Sequence, residues 1–272
     1  MVVGRWPADV LTAGYRPGTV RAISVHQDVL VATSEVWQTT CTAVRRGDEG
    51  FLIDSPVYPD ELELLPTLLS QAGFPLSGLL ATHGDWDHLL ARLSFPDAAL
   101  GCAETTAARL TAEPGAVQRE LRAFDDEHYV ERPRPLSLGQ VQALPVPGHL
   151  EVGDAEIELH PADGHTADGM AMWVPWARVL VCGDYLSPVE IPMLSETGSR
   201  AAYLATLRRL EPLVDQASHV VPGHGAVMEG ARAAAVLRED IAYLEGLPDA
   251  PLPLARRGPA QQAIHATNRE RL

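Results

Sequence analysis

The chain has 272 residues, of which 46% are hydrophobic and 21% are charged, so it is long and apolar enough to bury a substantial core. This composition excludes disorder as the dominant state. Its formal net charge of −15 at pH 7, without any Lys- or Arg-rich run to offset it, argues against a nucleic-acid partner and favours a small-molecule substrate.

The first third of the chain predicts strands joined by tight turns, then one helix and one short apolar strand. β-branched residues indicate the strands, and the spacing of the leucines indicates an amphipathic helix. In chain order the predicted elements are the strands 20–25, 29–33, 41–46 and 51–54, the helix 59–73 and the strand 78–82.

The remaining two thirds mix helices with strands. Two helices, 104–110 and 116–127, precede a proline-rich stretch, 133–147, which we interpret as a connector. The later predicted elements are the strands 155–160, 171–174, 179–182 and 219–221 and the helices 199–210, 228–244 and 259–272. Strands mixed with helices throughout favour an α/β sandwich over two unrelated domains.

Four short apolar strands run into residue types that bind metal ions. They lead to His83, to His165 through a short loop, to Asp184 and to His224. Strands that end together place such residues around one cleft. Imidazole nitrogens and carboxylate oxygens suit zinc, manganese or iron, so the sequence predicts a metal site.

These segments resemble the signature of the metallo-β-lactamase superfamily, which is His-x-His-x-Asp-His followed by Gly-His, Gly-Asp and Pro-Gly-His-Gly. The chain reads His83-x-Asp85-x-Asp87-His88 and then has His165, Asp184 and His224 in the same order. The resemblance implies an α/β fold, a four-layer αββα sandwich. It implies one domain over residues 1–248, with a helical insertion at about 103–135, and then a proline-rich linker and C-terminal helix over 249–272.

The resemblance also implies a dinuclear site. The residues it implies as metal ligands are His83, Asp85 and His165 for the first ion, Asp87, His88 and His224 for the second, and Asp184 as the bridge. Zinc is the expected metal, with manganese or iron as alternatives. Two cations lower the pKa of the water between them, and the resulting bridging hydroxide attacks an electrophilic carbonyl or phosphoryl centre.

Several neighbouring residues are further candidates. We expect Asp87 to orient the hydroxide and receive its proton, and we consider Tyr185 a donor to the developing oxyanion. Asp54 is expected to support the ligand loops by hydrogen bonds. Trp86 is either a lid over the site or a packing anchor. A further residue pair, His265 and Asn268, lies one turn apart on the final helix and could reach the cleft.

The chain departs from the superfamily signature at Asp85, where the signature has histidine. With three aspartates, two divalent ions and one hydroxide, the formal charges cancel, whereas histidine there would leave one positive charge. A carboxylate is also a harder ligand, which favours manganese or iron. We therefore hypothesise that activity needs a higher pH or a different metal, which an Asp85→His variant with unchanged pH profile and metal preference would contradict.

Among related proteins, the glyoxalase II-like esterases and thioesterases match the later segments best. The sequence therefore predicts a hydrolase of a small-molecule ester, thioester, lactone or similar bond. Three alternatives remain: an iron-dependent oxidoreductase of the persulfide dioxygenase or oxygen-reducing type, a phosphodiesterase, and a binding protein without catalysis. Three cysteines without a CxxC pair, and no apolar run of about 20 residues, favour a cytoplasmic protein away from membranes. The residues 1–18 do not have the pattern of a secretory signal.

Overall fold

The computed structural model describes residues 21–272. Residues 1–20, which include the start of the first predicted strand, lie outside the described part. The first half of the chain forms one mixed sheet, whose strands lie side by side in chain order. Its seven strands are β1 (Arg21–His26), β2 (Val29–Thr33), β3 (Thr40–Arg46), β4 (Glu49–Asp54), β5 (Gly78–Leu80), β6 (Leu100–Ala103) and β7 (Val141–Leu144). The pairs from β1 to β4 are antiparallel, and those from β4 to β7 are parallel.

The second half forms another sheet of six strands in the order β13-β12-β11-β10-β9-β8. These strands are β8 (Gly148–Val152), β9 (Ala155–Pro161), β10 (Met170–Val174), β11 (Val179–Val181), β12 (His219–Val221) and β13 (Met228–Glu229). Only the β11–β12 pair is parallel. Because that pair is in register from Val179 with His219 to Val181 with Val221, both strands end at the same place.

Strand β2 shows why the two sheets stack. Val29 and Val31 belong to a buried cluster that they share with residues of the second sheet, such as Met172. Leu30 and Ala32 point to the opposite face, into a cluster with helical residues. Alternate side chains of a strand lie on opposite faces, so a continuous apolar run buries both.

The helices cover the two outer faces. Within residues 21–272 the α-helices are α1 (Pro59–Ala72), α2 (Ala91–Ser94), α3 (Glu104–Ala112), α4 (Ala116–His128), α5 (Arg200–Gln216), α6 (Gly230–Gly246) and α7 (Pro259–Glu270). Helices α1 and α4 pack on the first sheet, and α5, α6 and α7 pack against the second. The four-layer αββα sandwich is therefore confirmed. No helix within residues 21–272 is both long and apolar enough to cross a membrane.

The interpretation of 133–147 as a plain connector is wrong. It contains β7, which pairs in parallel with β6, a strand that the sequence analysis did not predict. The β7 strand is short and half-exposed, and prolines flank it, so its local sequence has no clear strand pattern. Pairing of Leu100 with Val141 is a contact between distant parts of the chain, which local periodicity does not reveal. The domain boundary at residue 248 stays a prediction.

Candidate metal centre

The predicted ligands meet where strands of both sheets end. Strand β5 leads to His83, and the loop after β9 leads to His165. The parallel pair β11 and β12 leads to Asp184 and His224, which the shared strand register places side by side. A 3₁₀ turn, Trp86–His88, follows β5 and carries two more of these residues. The fold thus brings all seven predicted ligands to one place.

Three overlapping groups of donors lie there, with the ligand atoms of each group within 4.8 Å of one another. The first donor group is His83, Asp85 and His165, the second donor group is Asp87, His88 and His224, and a third joins His83, His88 and Asp184. We use these names below.

Asp184 lies between the first and second donor groups. Its Oδ2 atom is 3.3 Å from His165 Nε2 and 3.8 Å from His83 Nε2. Its Oδ1 atom is 3.1 Å from His88 Nε2 and 3.3 Å from His224 Nε2. One oxygen therefore faces each group, which is the arrangement that a bridging carboxylate needs.

Two of the four histidines carry a ring proton on Nδ1, the nitrogen that faces away from this centre. His88 Nδ1 lies 3.0 Å from Asp54 Oδ2, and His165 Nδ1 lies 2.9 Å from the Met193 carbonyl oxygen. A carbonyl can only accept, and an ionised carboxylate can only accept, so Nδ1 of each ring donates. In the neutral form of each ring, Nε2 then carries no proton, and its lone pair faces the centre, where it can bind a metal ion.

Hydroxyl groups impose the same tautomer on the other two rings. Thr82 Oγ1 donates its proton to Asp54 Oδ2 at 2.9 Å, so it accepts from His83 Nδ1 at 3.1 Å. Thr39 Oγ1 donates to the Val36 carbonyl oxygen at 3.0 Å, so it accepts from His224 Nδ1 at 3.3 Å. All four Nε2 atoms are thereby available to a metal ion.

The buried donor atoms lack other partners. Within residues 21–272, no hydrogen-bond partner is present for Nε2 of His83, His88 and His165 or for Oδ1 of Asp184. Buried polar atoms without partners are costly, and four that converge on one point indicate a ligand. Imidazole nitrogens with carboxylate oxygens fit a pair of divalent ions. The residues present therefore fit a dinuclear metal site.

Asp54 supports two of the segments that carry candidate ligands, as expected. It accepts hydrogen bonds from the Thr82 backbone N–H at 2.8 Å and from the Thr82 hydroxyl, and it holds His88. This carboxylate thus connects the end of β5 with the 3₁₀ turn that bears Asp87 and His88. It contacts the ligands and not the metal position itself.

Comparison with known proteins agrees with this geometry. The family model described as "Metallo-beta-lactamase superfamily" matches residues 34–224. The chain belongs to this superfamily. The match spans strands β3 to β12 and all seven candidate ligands, so the superfamily's dinuclear metal-binding fold is the fold of this chain.

Solved structures of the superfamily resemble the chain over most of its length. The DIM-1 metallo-β-lactamase shares 18% identity, with a TM-score of 0.60, and the match covers 85% of this chain and 99% of that one. A metallo-β-lactamase from Pontibacter korlensis shares 17% identity, with a TM-score of 0.58 and coverages of 81% and 99%. The protein TTHA1623, solved in a di-iron-bound form, shares 22% identity, with a TM-score of 0.59 and coverages of 75% and 96%. At these identities, the likeness shows the fold.

This superfamily member carries an arginine beside its unusual ligand. Arg109 of α3 places Nη2 2.8 Å from Asp85 Oδ1 and Nη1 2.9 Å from Asp168 Oδ1. The other Asp85 oxygen, Oδ2, faces His83 Nε2 at 3.6 Å and His165 Nε2 at 3.5 Å. The sequence analysis missed Arg109 and Asp168, because nothing near them in the chain relates them to the motif.

Asp168 is a buried carboxylate that fixes this arrangement. Its Oδ2 accepts from the Gly84 backbone N–H at 3.0 Å and from the Thr106 hydroxyl at 2.8 Å. It therefore connects the motif loop to helix α3, which also carries Arg109. Helix α3 lies within the range 103–135 of the predicted helical insertion, so a residue of that range contacts the candidate ligand Asp85.

The expectation that Tyr185 donates to an oxyanion is wrong in this geometry. Its hydroxyl accepts from the His165 backbone N–H at 3.0 Å and donates to the Ala162 carbonyl oxygen at 3.2 Å. The side chain is 3% exposed, and its single proton points away from the donor groups. Tyr185 instead holds the loop that carries His165, so it is a positioning residue.

The structure also decides the roles left open for Trp86 and the final helix. Trp86 is 7% exposed and packs on Trp37 and Phe124, with ring centroids 5.6 Å and 4.8 Å away, so it is a packing anchor and not a lid. His265 Nδ1 lies 2.9 Å from the Tyr243 hydroxyl, and Asn268 is buried; neither belongs to the donor groups.

The charges of the centre favour protonated histidines when no metal is bound. Burial lowers the pKa of His224, but Asp184, Glu190 and their neighbours raise it to about 10. Burial also lowers the pKa of His165, and nearby Asp85 and Asp184 raise it to about 9. Burial raises the pKa of Glu190, which lines a small cavity with His165 and Asp184, to about 7.

Proposed function

We propose that this chain is a dinuclear metal-dependent hydrolase that cleaves an ester, thioester, lactone or similar bond of a small molecule. The observation that carries the proposal is the position of Asp184 between two buried donor groups whose histidines, in their neutral form, all present an unprotonated Nε2. A pair of divalent ions held there would lower the pKa of bound water and polarise an electrophilic carbonyl or phosphoryl group.

The donor groups assign a holding role to each ligand. His83, Asp85 and His165 would hold the first ion, Asp87, His88 and His224 the second, and Asp184 both. The four imidazoles favour zinc, and the carboxylates make manganese or iron alternatives. Each ring is held by its Nδ1 contact, so the ligands keep their orientation before an ion arrives.

Asp87 is the proposed proton acceptor of the reaction. Its Oδ2 lies 3.6 Å from His88 Nε2 and 3.5 Å from His224 Nε2, and its side chain is 8% exposed. Asp87 therefore stays within reach of a water that approaches the centre, and it is shielded from bulk solvent. A carboxylate in this position orients the attacking water and receives its proton.

The charge of the whole chain informs the choice of substrate. We propose a small-molecule substrate and no nucleic-acid partner, because the net charge of −15 repels polyanions. A phosphodiester is for this reason the weaker substrate class. We also propose the cytoplasm as the compartment, since the three cysteines are buried and unpaired.

The first experiment pairs metal analysis with activity. Protein purified without added metal is measured by elemental analysis and assayed, before and after reconstitution with Zn, Mn or Fe, against esters, thioesters, lactones and phosphodiesters. We expect about two equivalents of metal and turnover of a carbonyl substrate. Asp184→Ala should abolish both, whereas Asp154→Ala, at a side chain that is 78% exposed, should change neither. Protein that binds no metal after reconstitution contradicts the proposal.

One alternative function has an observation in its favour. The first donor group contains the carboxylate of Asp85, a hard ligand that suits iron, and TTHA1623 was solved in a di-iron-bound form. An iron-dependent oxidoreductase would purify with iron and consume oxygen without hydrolysing any of the esters. That pair of results would replace the hydrolase proposal.

A further inference from the structure

The first donor group depends on a loop that has no regular secondary structure of its own. His165 donates from Nδ1 to the Met193 carbonyl oxygen, and Met193 lies in the segment 187–194, which we call the ligand loop. The ligand loop starts three residues after Asp184. Irregular backbone does not satisfy its own polar groups, so other parts of the molecule must hold this loop in place.

Asn268 of helix α7 holds both sides of Met193. Its Oδ1 accepts from the Leu194 backbone N–H at 2.9 Å, and its Nδ2 donates to the Pro192 carbonyl oxygen at 2.7 Å. Nδ2 also donates to the Tyr243 hydroxyl at 3.0 Å. Asn268 is completely buried, and an amide is the side chain that can both accept and donate at this spacing.

Three more residues of the C-terminal segment donate to the same loop. Arg256 donates from Nη1 to the carbonyl oxygens of Ser187 at 3.1 Å and Glu190 at 2.7 Å. Gln261 donates to the Val189 carbonyl oxygen at 2.7 Å, and Arg271 donates to that of Leu194. Hydrogen bonds from the segment 256–271 therefore satisfy backbone polar groups along most of the ligand loop.

Arg256 is itself fixed in place. Its buried guanidinium makes ion pairs with Asp240 at 2.6 Å and Glu239 at 3.0 Å, and both acidic residues belong to α6. The contact of the C-terminal segment with the ligand loop is thus anchored to the helical layer of the second sheet. A buried cation with two carboxylate partners cannot leave without a large loss of stability.

We propose that the C-terminal segment 256–271 is a positioning element for the first metal ion, with Asn268 as its central positioning residue. Asn268 fixes the two peptide groups that flank Met193, so it fixes the carbonyl oxygen that orients His165. This assignment rests on the proposed metal role of His165. In the described part of the chain, the histidines of the second donor group are oriented by other residues: His88 by Asp54 and His224 by Thr39.

The expected effect is selective for one ion. Loss of a residue that orients a metal ligand lowers metal affinity by about 10- to 100-fold. Asn268 acts through one intervening backbone group, so we expect the affinity for the first ion to fall by about ten-fold, at the low end of that range. The affinity for the second ion should stay unchanged.

The experiment measures the two zinc affinities of the full-length protein by competition with a chromophoric chelator. Variants with Asn268→Ala and the milder Arg271→Ala are compared with Gln262→Ala, which alters an exposed side chain of the same helix that donates to the Arg257 carbonyl oxygen and not to the ligand loop. His165→Ala identifies the first affinity and His224→Ala the second. Circular dichroism and thermal melting report the fold of every variant.

We expect Asn268→Ala to weaken the first affinity only, Arg271→Ala to weaken it less, and Gln262→Ala to leave it unchanged. In a His165→Ala background, Asn268→Ala should have no further effect on metal binding. Equal weakening of both ions, or no weakening in a folded variant, overturns the positioning role. If the unaltered protein fails to bind two zinc ions, the proposed function itself fails instead.

Discussion

At the scale of single residues, the pairing of Asp85 with Arg109 changes what the sequence alone implies about charge. Counting only ligands, a carboxylate at this position removes one positive charge from the centre that histidine would leave. The guanidinium of Arg109, with Nη2 2.8 Å from Asp85 Oδ1, supplies one positive charge in its place. It also occupies one oxygen, so that Asp85 offers a single donor atom, Oδ2, as a histidine would. Guanidinium groups suit this use, because they stay charged and direct several donors in fixed geometry.

We predict that Arg109→Met moves metal preference from zinc toward manganese. Without the guanidinium, both Asp85 oxygens become free to bind, and a two-oxygen, more negative site suits the harder ion. We expect the ratio of zinc to manganese affinity to fall by about ten-fold, measured by competition in metal-buffered solution. Arg119→Met is the control, since Arg119 contacts only the Pro114 carbonyl oxygen on the surface. An unchanged ratio would show that Arg109 does not tune the site.

We predict that Asp54→Asn weakens the second ion. Asparagine fills the same space but removes the negative charge that accepts from His88 Nδ1 and from Thr82. Because such outer partners contribute about 10- to 100-fold to metal affinity, the second zinc should be released at correspondingly lower chelator concentration. Zinc affinities equal to those of the unaltered protein would contradict this role for Asp54.

The candidate ligands could be predicted from sequence, and most of the residues that support them could not. Each candidate ligand follows an apolar strand and sits in a short motif, and both signals are local. Arg109 and Asn268 are separated from the groups they hold by many residues, and neither lies in a motif. Tyr185 was misassigned because its neighbour Asp184 faces the metal centre while its own side chain turns away to Ala162. The direction of one side chain after a turn is not encoded in local spacing.

At the scale of elements, the turn after β12 brings backbone close to the metal centre. Gly223 precedes His224, and its N–H donates to the Gly183 carbonyl oxygen at 2.6 Å. A Cβ atom at Gly223 would collide with Asp184 Oδ1 and lie 3.0 Å from His88 Cε1. The absence of a side chain therefore leaves the space in which the bridging carboxylate sits.

We predict that Gly223→Ala displaces Asp184 and removes metal binding at both positions, because both share that carboxylate. Elemental analysis should find well under one equivalent of metal in the purified variant. Gly246→Ala is the matched control: its added Cβ lies 3.1 Å from Ala250 Cβ and meets no residue of the donor groups, so it should keep its metal. A Gly223→Ala protein with full metal content would show that the turn can move without loss of metal binding.

Elements with strong local periodicity were predicted well, and weakly patterned ones were not. The predicted helix 59–73 closely matches α1, whose buried leucines form one stripe. Strand β13 was merged into the helix that follows it, and β6, β7 and β8 were missed. These four strands have only two to five residues, and their pairing partners, not their own sequences, determine them.

At the scale of the whole molecule, the donor groups make stability depend on pH in opposite directions with and without metal. The pKa of His165 is raised to about 9 and that of His224 to about 10, above the value of about 6.5 in unfolded chains. Their protonated forms therefore stabilise the metal-free fold at low pH, and this contribution is lost as the pH rises through those values. Metal ions bind the deprotonated rings, so protons compete with them.

We predict that the increase in melting temperature on adding zinc grows between about pH 6 and about pH 9. The metal-free protein should become less stable over this range, while the zinc-bound protein should not. Differential scanning calorimetry with and without zinc at each pH measures both curves. A constant increase across the range would mean that the histidines do not exchange protons for metal.

The two sheets also use separate stretches of the chain, since β1 to β7 end at Leu144 and β8 to β13 begin at Gly148. The only covalent link between them is a short turn with exposed residues at 145 and 147, a kind of site that tolerates a break. The metal centre draws His83 to His88 from one stretch and His165, Asp184 and His224 from the other. The protein can therefore be regarded as two halves that are joined by the candidate metal centre as well as by the apolar cluster between the sheets. Fragments 1–146 and 147–272, produced separately, should associate more tightly with zinc than without it.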